Sequence, residues 1–163
     1  MDERHFTIGN GEPQDVCGGV QFELDGQTIK TFFPNPKARL PVLSRQGQQI
    51  LVPWGRREGQ PGQTPQGGWA RLESIKKGIW NRFSPKPVKI SVDAFMEKDE
   101  AGESHWFLLE NQQFIQGLIA TDGPFTRLYV VTEENEQSCH KSHRWPRVMD
   151  APEPLRTASG GLF

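Results

Sequence analysis

The segment Val20-Gln21-Phe22-Glu23-Leu24-Asp25-Gly26-Gln27-Thr28-Ile29-Lys30-Thr31-Phe32-Phe33 reads as a complete β-hairpin. Val20, Phe22 and Leu24 alternate with Gln21 and Glu23, the period of two that places apolar side chains on one face of a half-buried strand. Asp25-Gly26 is a turn pair that accepts the positive φ of a tight hairpin. Thr28–Phe33 is the returning strand. Pro34-Asn35-Pro36 ends it, because proline has no N–H to give to a ladder.

Working outward, the same pattern recurs. Leu40–Leu43 and Ile50–Val52 read as short buried strands around the polar turn Arg45–Gln49. A long Gly/Pro/Gln loop runs from Pro53 to Gly68, a length more typical of functional loops than of idle connections. Val88–Val92 alternates as a strand and runs on into Asp93–Glu97, with Lys98–Ser104 as a charged hairpin tip. Trp106–Leu109 and Phe114–Ile119 read as a pair of strands, and Leu128–Val131 as another. One stretch, Gly67–Lys77, opens a helix: Leu72, Ile75, Ile79 and Trp80 recur at the three- and four-residue spacing of one helical face. An ordinary surface helix with solvated charges has the same pattern. The 17 glycines and 13 prolines suit turn-rich β architecture rather than a helical bundle. The expected fold is α+β and β-rich, mostly antiparallel sheets with one or two short helices. Residues 1–16 form an extended arm, 17–150 the folded domain, and 151–163 a loose Pro/Gly/Ser-rich tail.

At 163 residues the chain is one domain, long enough for a real core. It is 34% hydrophobic and 24% charged, with a mean hydropathy of -0.64. No apolar run reaches the length of a membrane span, and the acidic, polar N-terminus does not resemble a signal peptide. A cytoplasmic monomer without membrane contact is expected. Cys17 and Cys139 are too few for a disulfide framework and read as free thiols.

The net charge of -1 conceals an asymmetry. Between Trp54 and Lys89, eight basic residues (Arg56, Arg57, Arg71, Lys76, Lys77, Arg82, Lys86, Lys89) face two acids, Glu58 and Glu73. Such a distribution suits a protein with one anion-facing side, and nucleic acid is the usual anion. A solvated basic face without a partner fits the same counts.

Three groups of residues could carry chemistry. Cys17, followed by two glycines, leaves room for a bulky substrate at its sulfur, which becomes a nucleophile only as thiolate. A small buried hydrophobe at the start of a strand is the plainer role for a cysteine. The run Cys139-His140-Lys141-Ser142-His143-Arg144-Trp145-Pro146 could join Cys17 in four metal ligands. It lacks paired-cysteine spacing, though, and Lys141 and Arg144 would repel a cation, so neither metal nor other cofactor is expected. The same run can serve acid–base chemistry through His143, which a carboxylate such as Glu97 would help to protonate. It can also contact anions through Lys141, His143, Arg144 and Arg147. Trp145, with Trp54 and Trp69 near the other basic residues, completes the mixture of cations and aromatic rings used by single-strand binders.

Taken in order, these pieces resemble the SOS-response-associated peptidase (SRAP) family. That family carries Met-Cys-Gly-Arg, Asn-x-Ala-Pro, Trp-Gly-Leu-x-Pro, Asn-Ala-Arg-x-Glu, Gly-Phe-Tyr-Glu-Trp, Thr-x-x-Asn and His-x-Arg-Met-Pro in succession. This chain carries Cys17-Gly18, Pro36 with Pro41-Val42-Leu43, Trp54-Gly55, Ala70-Arg71-Leu72-Glu73, Ala94-Phe95-Met96-Glu97, Thr132-Glu133-Glu134-Asn135 and Arg144-Trp145-Pro146. The resemblance implies a barrel-like, β-rich α+β fold whose cationic groove takes single-stranded DNA at abasic sites. It implies a DNA–protein crosslink in which the cysteine α-amine condenses with the sugar aldehyde, releasing water, and the thiol then adds to close a thiazolidine. Autopeptidase activity between Val16 and Cys17 is implied as well. By position, Cys17 is the nucleophile and Glu97 the proton-handling carboxylate, with His143 nearest the family histidine. Arg71, Arg144 and Asn135 match DNA-contacting or site-lining positions, with Trp54, Trp69 and Asn35 beside them. The member is divergent. Cys17 is internal, Gly19 stands for the family arginine, and Lys98 for the tryptophan after the glutamate. Trp69 and Phe33 replace two asparagines, Asn35 being displaced from the second. A non-catalytic nucleic-acid binder of the same fold, or a thiol autopeptidase, is the alternative.

Overall fold

The computed structural model describes residues 18–136 and 144–150. The proposed arm, the proposed tail, Cys17 and the 137–143 segment with His140 and His143 lie outside the described residues.

Two sheets form the body. The smaller has the order β2-β1-β7-β8, built from β1 (Gly19–Leu24), β2 (Gln27–Phe32), β7 (Ala94–Lys98) and β8 (Ser104–Leu108). The predicted hairpin is its first half, with Gly19 opposite Phe32 and Leu24 opposite Gln27. Asp25 and Gly26 both take positive φ, 53° and 81°. The larger sheet has the order β11-β10-β9-β6-β3-β4. Its strands are β3 (Arg39–Leu43), β4 (Gln49–Pro53), β6 (Lys86–Ile90), β9 (Gln113–Asp122), β10 (Phe125–Glu134) and β11 (Arg144–Pro146). Beside them β5 (Trp69–Arg71) runs parallel to β10, and β12 (Val148–Asp150) pairs with β9. The architecture is β-rich and mostly antiparallel, as expected, but no closed barrel forms among the described residues, where a single bridge from Trp54 to Leu128 links the end of β4 to β10.

One core lies between the sheets. Val20 and Phe22 of β1 and Phe95 of β7 meet Leu40, Val42, Ile90, Ile115, Leu128 and Val130 of the larger sheet. A second core covers the other face of the larger sheet, where Leu118, Ala120, Tyr129 and Val131 meet Leu72, Trp80 and Phe83. Central strands therefore face two apolar layers, so β10 reads as the unbroken run Leu128-Tyr129-Val130-Val131 rather than as an alternation. Gly117 is demanded where the layers close, since a Cβ there would come within 2.8 Å of Ile90 and 3.0 Å of Leu128.

Three sequence expectations are corrected. The helix is only α1 (Leu72–Lys76), because Trp69–Arg71 is captured as a strand by β10 and Gly78 takes φ 85° just beyond it. Leu72 and Trp80 are buried as expected, but Ile79 is 58% exposed. Val88–Glu97 is two strands, with β6 in one sheet and β7 in the other. The chain crosses at Ser91–Asp93, whose N–H groups at Ser91 and Asp93 bond Pro41 O and Gln21 O. Trp106–Leu109 and Phe114–Ile119 do not pair. β8 pairs with β7, and β9 takes β6, β10 and β12.

Candidate functional site

Six of the seven segments quoted for the family resemblance close into one neighbourhood; the one with Pro36 and Pro41–Leu43 does not join it. The Gly18 N–H donates to Met96 O at 2.9 Å, and Gly19 stands opposite Met96, which sets Gly18 beside the strand that carries Glu97. Glu97 is fully buried on a strand whose neighbours are Phe95 and Met96. A buried carboxylate is costly unless partners satisfy it, and Glu97 is not without them. The Phe33 N–H donates to Gly18 O at 3.1 Å. Its ring then packs on Trp54 and Trp69, centroids 5.4 and 5.0 Å away. Gly68 lets this cluster close: a Cβ there would come within 2.6 Å of the Trp54 indole nitrogen, which instead donates to Gly68 O at 2.9 Å.

From Gly68 the path continues along β10. Val130 donates to Gly68 O, and Arg71 lies in register with Thr132. Thr132 in turn stands opposite Pro146, and Glu134 opposite Arg144. The Arg144 guanidinium forks onto Glu73, Nη1 to Oε2 at 3.0 Å and Nη2 to Oε1 at 3.1 Å. It also donates to the carbonyl and hydroxyl oxygens of Thr132 at 2.9 and 3.0 Å. The hydrogen bonds from Arg144, joined by the charges of Arg144 and Arg71, hold Glu73 at about 2, well below the usual carboxylate value. Trp145 returns to the smaller sheet, edge-on to Phe95 with centroids 5.2 Å apart. The ring of contacts is complete.

Not every predicted residue plays the predicted part. Trp54 is fully buried, so it has no face to offer a base; its indole builds the wall instead. Trp69 is half-buried, and its Nε1 is a buried donor without a partner among the described residues. Arg71 is exposed, whereas Arg144 is buried and engaged. Asn135 follows directly on the Glu134–Arg144 pair and is half-buried. Asn35 lies at an exposed turn, where its Oδ1 accepts the Lys37 N–H at 2.9 Å, so it serves the turn rather than the ring. Cys17 and His143 lie outside the described residues. Among those described, no three His, Cys, Asp or Glu side chains gather as a metal site.

Sequence reading passed over Arg57. Its guanidinium lies 4.1 Å over the Phe33 ring, and its Nη1 donates to Trp54 O at 2.8 Å. Burial lowers it to about 10, yet it stays protonated at neutral pH with no carboxylate paired to it among the described residues. In the sequence it is one of two adjacent arginines, and nothing local separates it from Arg56. Arg56 turns inward to Thr64 O and Gln60 O.

Comparisons of the chain with protein-family models, with curated proteins and with solved structures found no match.

Proposed function

We propose that this chain is a divergent SRAP-type protein that binds single-stranded DNA at abasic sites and joins it covalently through Cys17. One observation carries the reading. Pieces of six of the seven motif segments, scattered from Gly18 to Trp145, meet in one chain of contacts running Met96–Gly18–Phe33–Trp54–Gly68–Val130, then Thr132–Arg144–Glu73, and back through Trp145 to Phe95. Segments that resembled a family only by order along the chain are thereby also neighbours in space. In this role Arg71 and Arg57 supply positive charge to the strand, and Glu97 moves protons at the sugar carbon that Cys17 attacks. The described residues include no helix long and apolar enough to cross a membrane.

The test is a denaturant-resistant adduct with abasic single-stranded DNA. A chain that begins at Cys17 is expected to form it, and Cys17→Ala to abolish it. Adduct from neither the full chain nor the shortened one would end the covalent mechanism.

The replacement of two family asparagines by Trp69 and Phe33, with Ser142 in the register of the family histidine, favours one second reading: a non-catalytic single-strand binder. It predicts salt-sensitive binding that is indifferent to Cys17→Ala and lost with Arg71→Ala.

A further inference from the structure

At the other end of β10 lies a groove of about 480 Å³, walled by Pro36, Pro53 and Pro61 and lined by Lys37, Arg39, Gln60, Phe125 and Arg127. It adjoins the Trp54 side of the ring described above but lies away from its Thr132–Arg144–Glu73 side. Arg127 and Thr132 stand five residues apart on an extended strand, or about 17 Å. The chain has 20 acids to 19 basic residues, yet three cations and no acid line this groove. Arg127 is neutralised by Asp122 at 3.2 Å and rests 4.9 Å over the Phe125 ring. The side chains of Lys37 and Arg39 have neither ion pair nor hydrogen bond among the described residues. Gln60 accepts the Arg57 N–H through Oε1 at 2.7 Å, which leaves its amide N–H groups as donors. Phe125, 38% exposed, sets an aromatic ring at the lip.

We propose that this groove is a second contact for a single nucleic-acid strand, with Lys37 and Arg39 on successive phosphates, Gln60 donating to phosphate oxygen and Phe125 against a base. Prolines fix the walls, so little ordering is needed on binding. The pattern of free cations beside an aromatic ring is that of sequence-tolerant single-strand recognition. The proposal rests on the nucleic-acid reading above, and it gives the strand a path reaching well beyond the abasic sugar.

The experiment uses the full chain and a fluorescent oligothymidylate of about 30 nucleotides without an abasic site, longer than a single binding fold occupies. Anisotropy is followed across salt concentrations. The charge reversal Lys37→Glu with Arg39→Glu is expected to weaken binding about tenfold or more at ~0.1 M salt. It should also lower the salt slope by about 1.4, for two lost phosphate contacts on a single strand. The charge-keeping exchange Lys37→Arg with Arg39→Lys should retain binding, which separates charge from folding. Reversal that leaves affinity and slope unchanged overturns the groove, as does a wild-type chain that binds no oligothymidylate. The adduct assay separates the two ideas. Adduct formation with an indifferent reversal variant leaves the abasic reading standing and removes the groove. Binding lost on reversal, with no adduct from any chain, does the opposite.

Discussion

Two arginine–carboxylate pairs stand at opposite ends of β10, and burial sets them apart. At the Phe125 end, Arg127 and Asp122 are each 6% exposed. Asp122 also accepts the Gln63 N–H at 2.8 Å and the Thr64 hydroxyl at 2.8 Å, pinning the long loop to the sheet. Tyr129 adds a bond from its hydroxyl to Pro65 O. At the Thr132 end, Arg144 is 7% exposed but Glu73 is 51% exposed. The first pair is a lock, both partners committed and both needed. In the second, Thr132 also holds the guanidinium, and the Glu73 carboxylate that completes the pair stands half in solvent. Identical chemistry thus gives a buried lock at one end and an adjustable pair, with its carboxylate half in solvent, at the other.

The largest effect should come from breaking the lock. Asp122→Ala leaves a buried guanidinium uncompensated and is expected to cost about 3–5 kcal/mol in urea unfolding. Glu73→Ala, at a half-exposed carboxylate, should cost about 1 kcal/mol or less. Equal losses would erase the distinction.

Acid provides the next test. Burial pulls the Asp122 carboxyl upward, but the bonds from Gln63, Thr64 and Arg127 outweigh it and hold it at about 2, against an ordinary 3.8. Glu73, bonded by Arg144, sits at about 2 against 4.5. A depressed carboxylate contributes stability above its ordinary value and loses it as pH falls through the lowered one. Stability should therefore decline between about pH 4.5 and 2. Asp122→Asn should flatten that decline more than Glu73→Gln, because solvent screens the exposed pair. A steeper correction from Glu73→Gln would reverse the assignment of lock and adjustable pair.

The smallest effect is the most informative about the site. Glu73→Gln removes the carboxylate that competes for Arg144, so single-stranded DNA should bind a few-fold more tightly, about 1 kcal/mol or less, measured by anisotropy. Weaker binding would mean that Glu73 orients Arg144 for the strand rather than occupying its place.

The hairpin was legible because alternation and an Asp-Gly turn are local signals. The crossover at Ser91–Asp93 was not, since it contains no glycine or proline and the strand pattern runs straight through it. Trp54 was misread for a related reason: a tryptophan in a Gly/Pro/Gln loop beside arginines looks exposed, and only Phe33 and Gly68, distant in sequence, bury it. The Asp122–Thr64 anchor joins residues 58 positions apart and leaves no trace in the local pattern. Candidate site residues could be named where a motif kept its order, as with Arg71 and Arg144. They were missed where the role depends on packing alone, as with Arg57.

The most direct measurement is the mass of the chain beginning at Cys17 after incubation with abasic single-stranded DNA, followed by peptide mapping of the adduct. The account predicts one DNA-linked peptide, with the link at Cys17. Linkage at a lysine, or an unchanged mass, would contradict it.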